Sequence, residues 1–228
     1  MKIAIHQPQY MPWLGYFDKM DQVDVFVLLD DVQYKKNEWQ NRNKIRTATD
    51  WQWLTVPVLS NFGQTIKEVK INDLEPWRQK HIKSIEMNYS RADYFEEYFQ
   101  SFKSIIMPDW EYLERLSICL IIHLKDILSI KTELVRSSSF HLDQTKTERL
   151  VEICRMLNAD TYLSGPGAKE YLDEKLFEQN GITLEYQEFK HPEYKQVFNG
   201  FEPYMSALDL VFCHGAGGLD IIREGRGK

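Results

Sequence analysis

The sequence predicts an α/β fold on a mostly parallel sheet, with a helical segment inserted around residues 74–130. Short apolar runs, KIAI at 2–5 and VFVLL at 25–29, read as strands buried on both faces, as parallel strands are. The stretch between them holds one short helix, the crossover that a parallel pair needs. The last hundred residues again alternate strand-like and helix-like runs, the order of an α/β sheet. At 228 residues, one domain with a helical subdomain at 74–130 is the expected organisation.

In chain order, the strand at 2–5 is followed by a turn containing Pro8 and Pro12, a helix over roughly 13–22 and the strand at 25–29. The polar stretch KKNEWQNRNKIR then reads as a loop. Residues 52–58 read as a strand ended by Pro57, and 67–71 alternates weakly as a more exposed strand. From about 74 the pattern turns helical, with Pro76 in a first turn, where proline is tolerated. Tyr94, Phe95, Tyr98, Phe99 and Phe102 recur at spacings of three and four, the stripe of a helix facing a core. Asp109 is the expected N-cap of a helix starting at Trp110. A strand at 133–137, a helix at 145–157, a strand at 161–164, a strand at 183–187 and a last helix near 205–213 complete the order. The tail REGRGK is expected to fray.

A net charge of −6 argues against a nucleic-acid binder that works by neutralising phosphates. Basic patches such as NRNKIR leave room for a small anionic ligand. The three cysteines are widely spaced with no C-x-x-C pair, so neither a disulfide framework nor a zinc knuckle is indicated. Only three apolar residues stand between Lys2 and His6, and the most apolar helix is interrupted by charges. The expectation is a cytoplasmic protein with no membrane insertion.

In open α/β sheets, ligands sit beyond the carboxyl ends of the strands. The first strand runs into His6, Gln7 and Tyr10, and the second into Asp30 and Asp31. His6 suits a general base or a phosphate donor. The two aspartates suit Mg²⁺, orientation of His6, or capping of their own loop. The strand at 161–164 runs into a turn whose Gly165 and Gly167 either cradle an anion or only make a tight turn. Gln40, Asn41 and Arg42 offer amides for sugar hydroxyls and a fork for phosphate or carboxylate. Tyr10, Trp13 and Trp39 are candidate stacking platforms. No G-x-S-x-G or Walker pattern occurs, and no metal-ligand spacing is present.

The segments IHQPQYMPWLGYFDKM, LLDDVQYKKNEWQNRNKIR, WLTVPV, LSGPGAKEYLD and YKQVFNGFEPYMSALDLVFCHG resemble the WbqC-like family almost end to end. That resemblance implies a role in bacterial O-antigen or other surface-polysaccharide assembly. It further implies N-acyl transfer, glycyl or similar, to the amine of a nucleotide-linked amino sugar. A second likeness, to class I nucleotidyltransferases and pantothenate synthetases, rests on the layout of Pro12–Phe17. It implies a Rossmann-like, HUP-type architecture. Gly15 matches the motif glycine, but Trp13 and Tyr16 stand where that motif has its two histidines. An ATP-dependent ligase using ATP and Mg²⁺, and a non-catalytic sugar-nucleotide-binding protein, are the alternative readings.

Overall fold

A computed structural model describes residues 1–227. The elements run β1 (Lys2–His6), α1 (Leu14–Asp21), β2 (Val25–Leu28), β3 (Arg42–Arg46), β4 (Trp51–Thr55), β5 (Val58–Leu59), β6 (Lys70–Ile71), α2 (Trp77–Tyr89), α3 (Phe95–Ile106) and α4 (Leu113–Ile127). They continue with β7 (Glu133–Arg136), α5 (Lys146–Met156), β8 (Thr161–Ser164), α6 (Glu174–Gln179), β9 (Thr183–Tyr186), α7 (Ala207–His214) and α8 (Gly218–Glu224).

Five strands pair in the order β7-β2-β1-β8-β9, every pair parallel. Counted along the chain, this is the 3-2-1-4-5 order of a Rossmann-like sheet. From β1 the chain moves outward through β2 to β7. It then returns to the opposite side of β1 for β8 and β9, so the switch point lies between β1 and β8. Alternate residues face opposite layers, as the period of two requires. Ala4, Phe26, Leu28 and Leu163 point into a large core shared with α1, α2, α3, α4, α7 and α8. Ile3, Ile5, Val25, Val27 and Tyr162 point into a smaller one against α5 and α6. Each valine, leucine, isoleucine or phenylalanine among them contributes about 1.5–3 kcal/mol on burial.

The segment between β2 and β7 departs from the sequence reading in three places. Residues 42–46, expected in a loop, form β3, paired antiparallel with β4 from Arg42↔Thr55 to Arg46↔Trp51. Its charged residues are stabilised in place: Arg42 lies 4.3 Å from the ring of Trp53, and Lys44 3.8 Å from that of Trp51. Asn43 and Ile45 face inward, and Asn43 Nδ2 donates to the Met11 carbonyl at 2.6 Å. Residues 66–68 form a 3₁₀ turn where a strand at 67–71 was expected, and only Lys70–Ile71 pair, with β5. The helix expected from Trp110 begins at Leu113, with Tyr112 rather than Asp109 in the capping position. The Glu111 carbonyl accepts from Ile71 N, and Leu113 N donates to Val69, so extended pairing with β6 holds these residues out of the helix.

In the aromatic stripe Phe95, Phe99 and Phe102 are core, while Tyr94 stays exposed. As far as Gly227 the tail is tied down rather than frayed. The helix α8 follows the Gly215–Gly217 turn, and Arg223 and Arg226 form ion pairs with Asp21 and Asp18 of α1. Lys228 lies outside the described residues. None of the described helices is long and apolar enough to cross a membrane.

Candidate functional site

A cavity opens where the sheet topology calls for one, at the carboxyl ends of β1 and β8. It has two arms of about 640 Å³ each, which share Ile5, His6, Tyr162 and Tyr171. One arm reaches across β2 and α5, past Gln7, Leu29, Lys35, Lys146 and Arg149. The other reaches over α1 and the turn after β8, past Trp13, Gly15, Lys19, Trp39 and Gly165–Ala168. His6 stands at the junction.

The geometry around His6 fixes its chemistry. The Nδ1 atom lies 3.2 Å from the Gln7 carbonyl. A carbonyl only accepts, so Nδ1 carries the hydrogen and Nε2 keeps its lone pair. The ring meets Tyr16 edge-on at 4.9 Å. Burial, followed by the neighbouring charge of Lys19, pulls the imidazole down to about 3, so it is neutral at physiological pH.

The loop 38–41 docks on the turn 7–10 through a relay that the sequence motifs encode. Tyr10 N donates to the Trp39 carbonyl at 3.0 Å. Gln40 Nε2 donates to Gln7 Oε1 at 2.7 Å, while Gln40 Oε1 accepts from Lys35 N. The Gln7 side chain is thereby held at the cavity wall. Tyr16 is buried and donates to the Gln7 carbonyl at 3.4 Å. Trp13 packs against Phe189 edge-on and stacks on His191. Trp39 lines the mouth, packed 5.5 Å from Trp53.

Several expected site residues have other surroundings. Tyr10 is fully buried and hydrogen-bonded to His81 Nδ1 at 2.9 Å, away from either arm. Asn41 is buried and donates to the Val56 carbonyl, closing the base of β3. Arg42 lies against Trp53 and is not among the lining residues. Asp30 and Asp31 end β2 as expected, but their oxygens are engaged by protein. Asp30 accepts from Ser137, Ser138 and Arg136. Desolvation of Asp30 is outweighed by Ser138 and Arg136, which hold its carboxyl below the usual range. Asp31 accepts from Ser137 at 2.5 Å and pairs with Arg149, so it reaches the cavity only through that guanidinium. Among the described residues, no three His, Cys, Asp or Glu side chains are grouped to hold a metal.

Sequence reasoning missed Lys19. It is 3% exposed, lines the second arm, and makes no ion pair or hydrogen bond among the described residues. A Cβ on Gly165 would lie 3.9 Å from its Nζ. Burial brings the ammonium down to about 7. The only hint in the sequence is that α1 is apolar on most sides, so a lysine in it has no assured route to solvent. A second, more open depression, lined by Phe62, Lys67, Arg115 and Arg136, lies on the insert. Its Arg136 is already committed to Asp30 and Glu114.

The profile of the WbqC-like protein family matches residues 7–221. A protein of Mycobacterium tuberculosis (strain ATCC 25618 / H37Rv), described as uncharacterized, is 39% identical over 226 residues, covering 97% of each chain. No solved structure matches.

Proposed function

The chain belongs to the WbqC-like protein family, and from that premise we propose that it is an enzyme of bacterial surface-polysaccharide assembly. Its reaction is transfer of an acyl group, glycyl or similar, to the amine of a nucleotide-linked amino sugar. The observation that supports this reading best is the two-armed cavity with a neutral, singly committed histidine at its junction.

Such a reaction brings two substrates to one point. The amine nitrogen attacks the acyl carbon, a tetrahedral intermediate forms, and the bond to the leaving group breaks. The ammonium proton passes to a base, for which His6 Nε2 has the free lone pair. The tryptophans at the mouth of the second arm, Trp13 and Trp39, offer apolar faces to a sugar or base ring. Lys35 and Lys146 at the rim of the first arm suit a diphosphate or an acyl phosphate. Asp31 contributes by holding Arg149 in that arm's wall, and the buried Gln40 by fixing the Gln7 amide that lines it.

The test is incubation with a nucleotide-linked amino sugar and glycine, with ATP in one arm and a pre-activated glycyl donor in the other. A mass gain of one glycyl group on the sugar supports transfer. Release of AMP or ADP assigns the ATP-dependent ligase, and consumption of the activated donor alone assigns the transferase. Sugar-nucleotide binding with no product after long incubation removes the catalytic reading in favour of an accessory binding protein. His6→Ala should abolish turnover while leaving the thermal transition in place; retained turnover takes His6 out of the mechanism.

A further inference from the structure

Lys19 is an exception to two rules at once. Lysine is almost never fully buried unless paired, and a buried charge without partners is costly. Here the side chain is 3% exposed, with no carboxylate or carbonyl bonded to its Nζ among the described residues. It is not a core lysine with an overlooked partner, because its amine faces a cavity. The opposite wall is the turn Gly165–Pro166–Gly167–Ala168, where Gly167 has open space at the Cβ position and Gly165 has only Lys19 nearby. The residue lies in the last turn of α1, where the helix's negative end favours a cation. An anion would complete the arrangement.

We propose that Lys19 anchors a subsite for one anionic group, a phosphoryl or a carboxylate, seated between its Nζ and the Gly165–Ala168 turn. The proposal rests on this cavity being the working site, and not on acyl transfer. It takes the acid end of one substrate, or one phosphate of the other.

The charged and titratable groups facing this position are His6 from β1, Tyr16 from α1 itself, Glu38 from the loop before β3, and Tyr162 and Tyr171 from β8 and the segment after it. Asp18, beside Lys19 in sequence, is occupied by Gln22, Gln187 and Arg226. The amine titrates near 7, so above that pH the empty subsite is neutral, and an arriving anion draws a proton onto Lys19. His6 is neutral down to about 3, so it does not supply that signal.

Sulfate separates these events, since it does not titrate near neutrality, and acetate serves as the carboxylate arm. Calorimetric titration of the intact protein in buffers of different ionisation enthalpy reads both affinity and proton uptake. The expected result is sulfate or acetate binding with nearly one proton taken up well above pH 7 and almost none below it. Preference for sulfate marks a phosphoryl subsite, and preference for acetate a carboxylate subsite. Lys19→Met should lose roughly ten- to hundredfold in affinity, the worth of one charge-assisted hydrogen bond. Lys19→Arg should bind with no proton uptake, because arginine stays charged. Parental affinity in Lys19→Met, or proton uptake retained in Lys19→Arg, would overturn the proposal, as would absence of binding of either anion to the parent. None of these results depends on whether acyl transfer is detected, so the two readings fail separately.

Discussion

The indole of Trp13 occupies the space that a side chain at Gly15 would need. A Cβ there would stand 2.3 Å from Cη2 and 2.4 Å from Cζ2 of the ring. Both residues line the second arm of the cavity, so the glycine sets where its wall stands. The requirement is close approach, since Gly15 has ordinary helical backbone in the first turn of α1. Gly15→Ala should cost roughly 1–3 kcal/mol through overpacking. Removing the ring as well, in Gly15→Ala with Trp13→Ala, should recover much of that term. Urea unfolding of the four proteins of the cycle measures the coupling. Additive costs would mean that the ring moves aside freely.

Asp30 reports on whether a strand-end carboxylate anchors or reacts. It is fully buried and accepts from the backbone and hydroxyl of Ser138, the hydroxyl of Ser137 and the guanidinium of Arg136. Arg136 in turn pairs with the buried Glu114, whose carboxyl is raised by desolvation. Asp30→Ala strands the Ser138 donors and leaves Arg136 to Glu114 alone, and should cost about 1.5–3 kcal/mol. Parental stability in that variant, together with lost turnover, would return Asp30 to the set of reacting groups.

The tail should matter for stability although it lies at the end of the chain. Arg226 Nε donates to Asp18 Oδ1 at 2.7 Å, and its Nη2 pairs with Asp21. The Asp18 side chain is fully buried, so removal of the guanidinium leaves a carboxylate with only amide donors. Arg226→Ala should lose about 1.5–3 kcal/mol, the range for hydrogen bonds to charged groups. An unchanged melting temperature would restore the view of a frayed end.

How far the sequence carries is clearest in particular residues. The strands β1 and β2 are legible because both faces are buried and the runs are apolar throughout. With the loop rule for open sheets, that places His6, Gln7, Gly165 and Gly167 on one cavity. The strand β3 is not legible, because its charged residues are stabilised by tryptophans seven or more positions away in sequence. Tyr10 and Asn41 carry polar groups that look poised for a ligand, but their partners, His81 and the Val56 carbonyl, come from elements that adjacency does not reveal. Lys19 is invisible for the opposite reason. A lysine in a short helix reads as solvent-facing, and only the tertiary structure shows it 3% exposed with its amine on a cavity wall.

The pH dependence of stability follows from three desolvated bases, His6, His81 and Lys19. Burial lowers His6 to about 3, with help from Lys19, and His81 to about 4. His81 is held neutral in one tautomer, Nε2 donating to the Thr55 carbonyl and Nδ1 accepting from Tyr10. Below the ordinary histidine value of 6.5 the unfolded chain takes up protons that the native one refuses. Stability from these two residues is therefore complete above that pH and falls as pH drops to about 4, by about 1.4 kcal/mol per pH unit for each histidine. Lys19 acts on the other side of neutrality. Its native amine titrates near 7 against 10.5 for an ordinary lysine, so the unfolded chain holds the extra proton between those values. Its burden on the fold is complete below 7 and is relieved as pH rises towards 10.5. Above about 10 the buried phenols, such as Tyr10, reverse the trend, because the unfolded chain ionises first. Stability should thus climb from pH 4 through neutrality to a maximum on the alkaline side, rather than in the usual range of about 5–8. Urea midpoints taken from about pH 5 to about pH 9 trace the curve. Lys19→Met should flatten its alkaline branch and raise stability at pH 7, while leaving the acid branch from His81 in place. A parent curve that is flat or falling above pH 7 would mean that Lys19 has found a partner or a path to water.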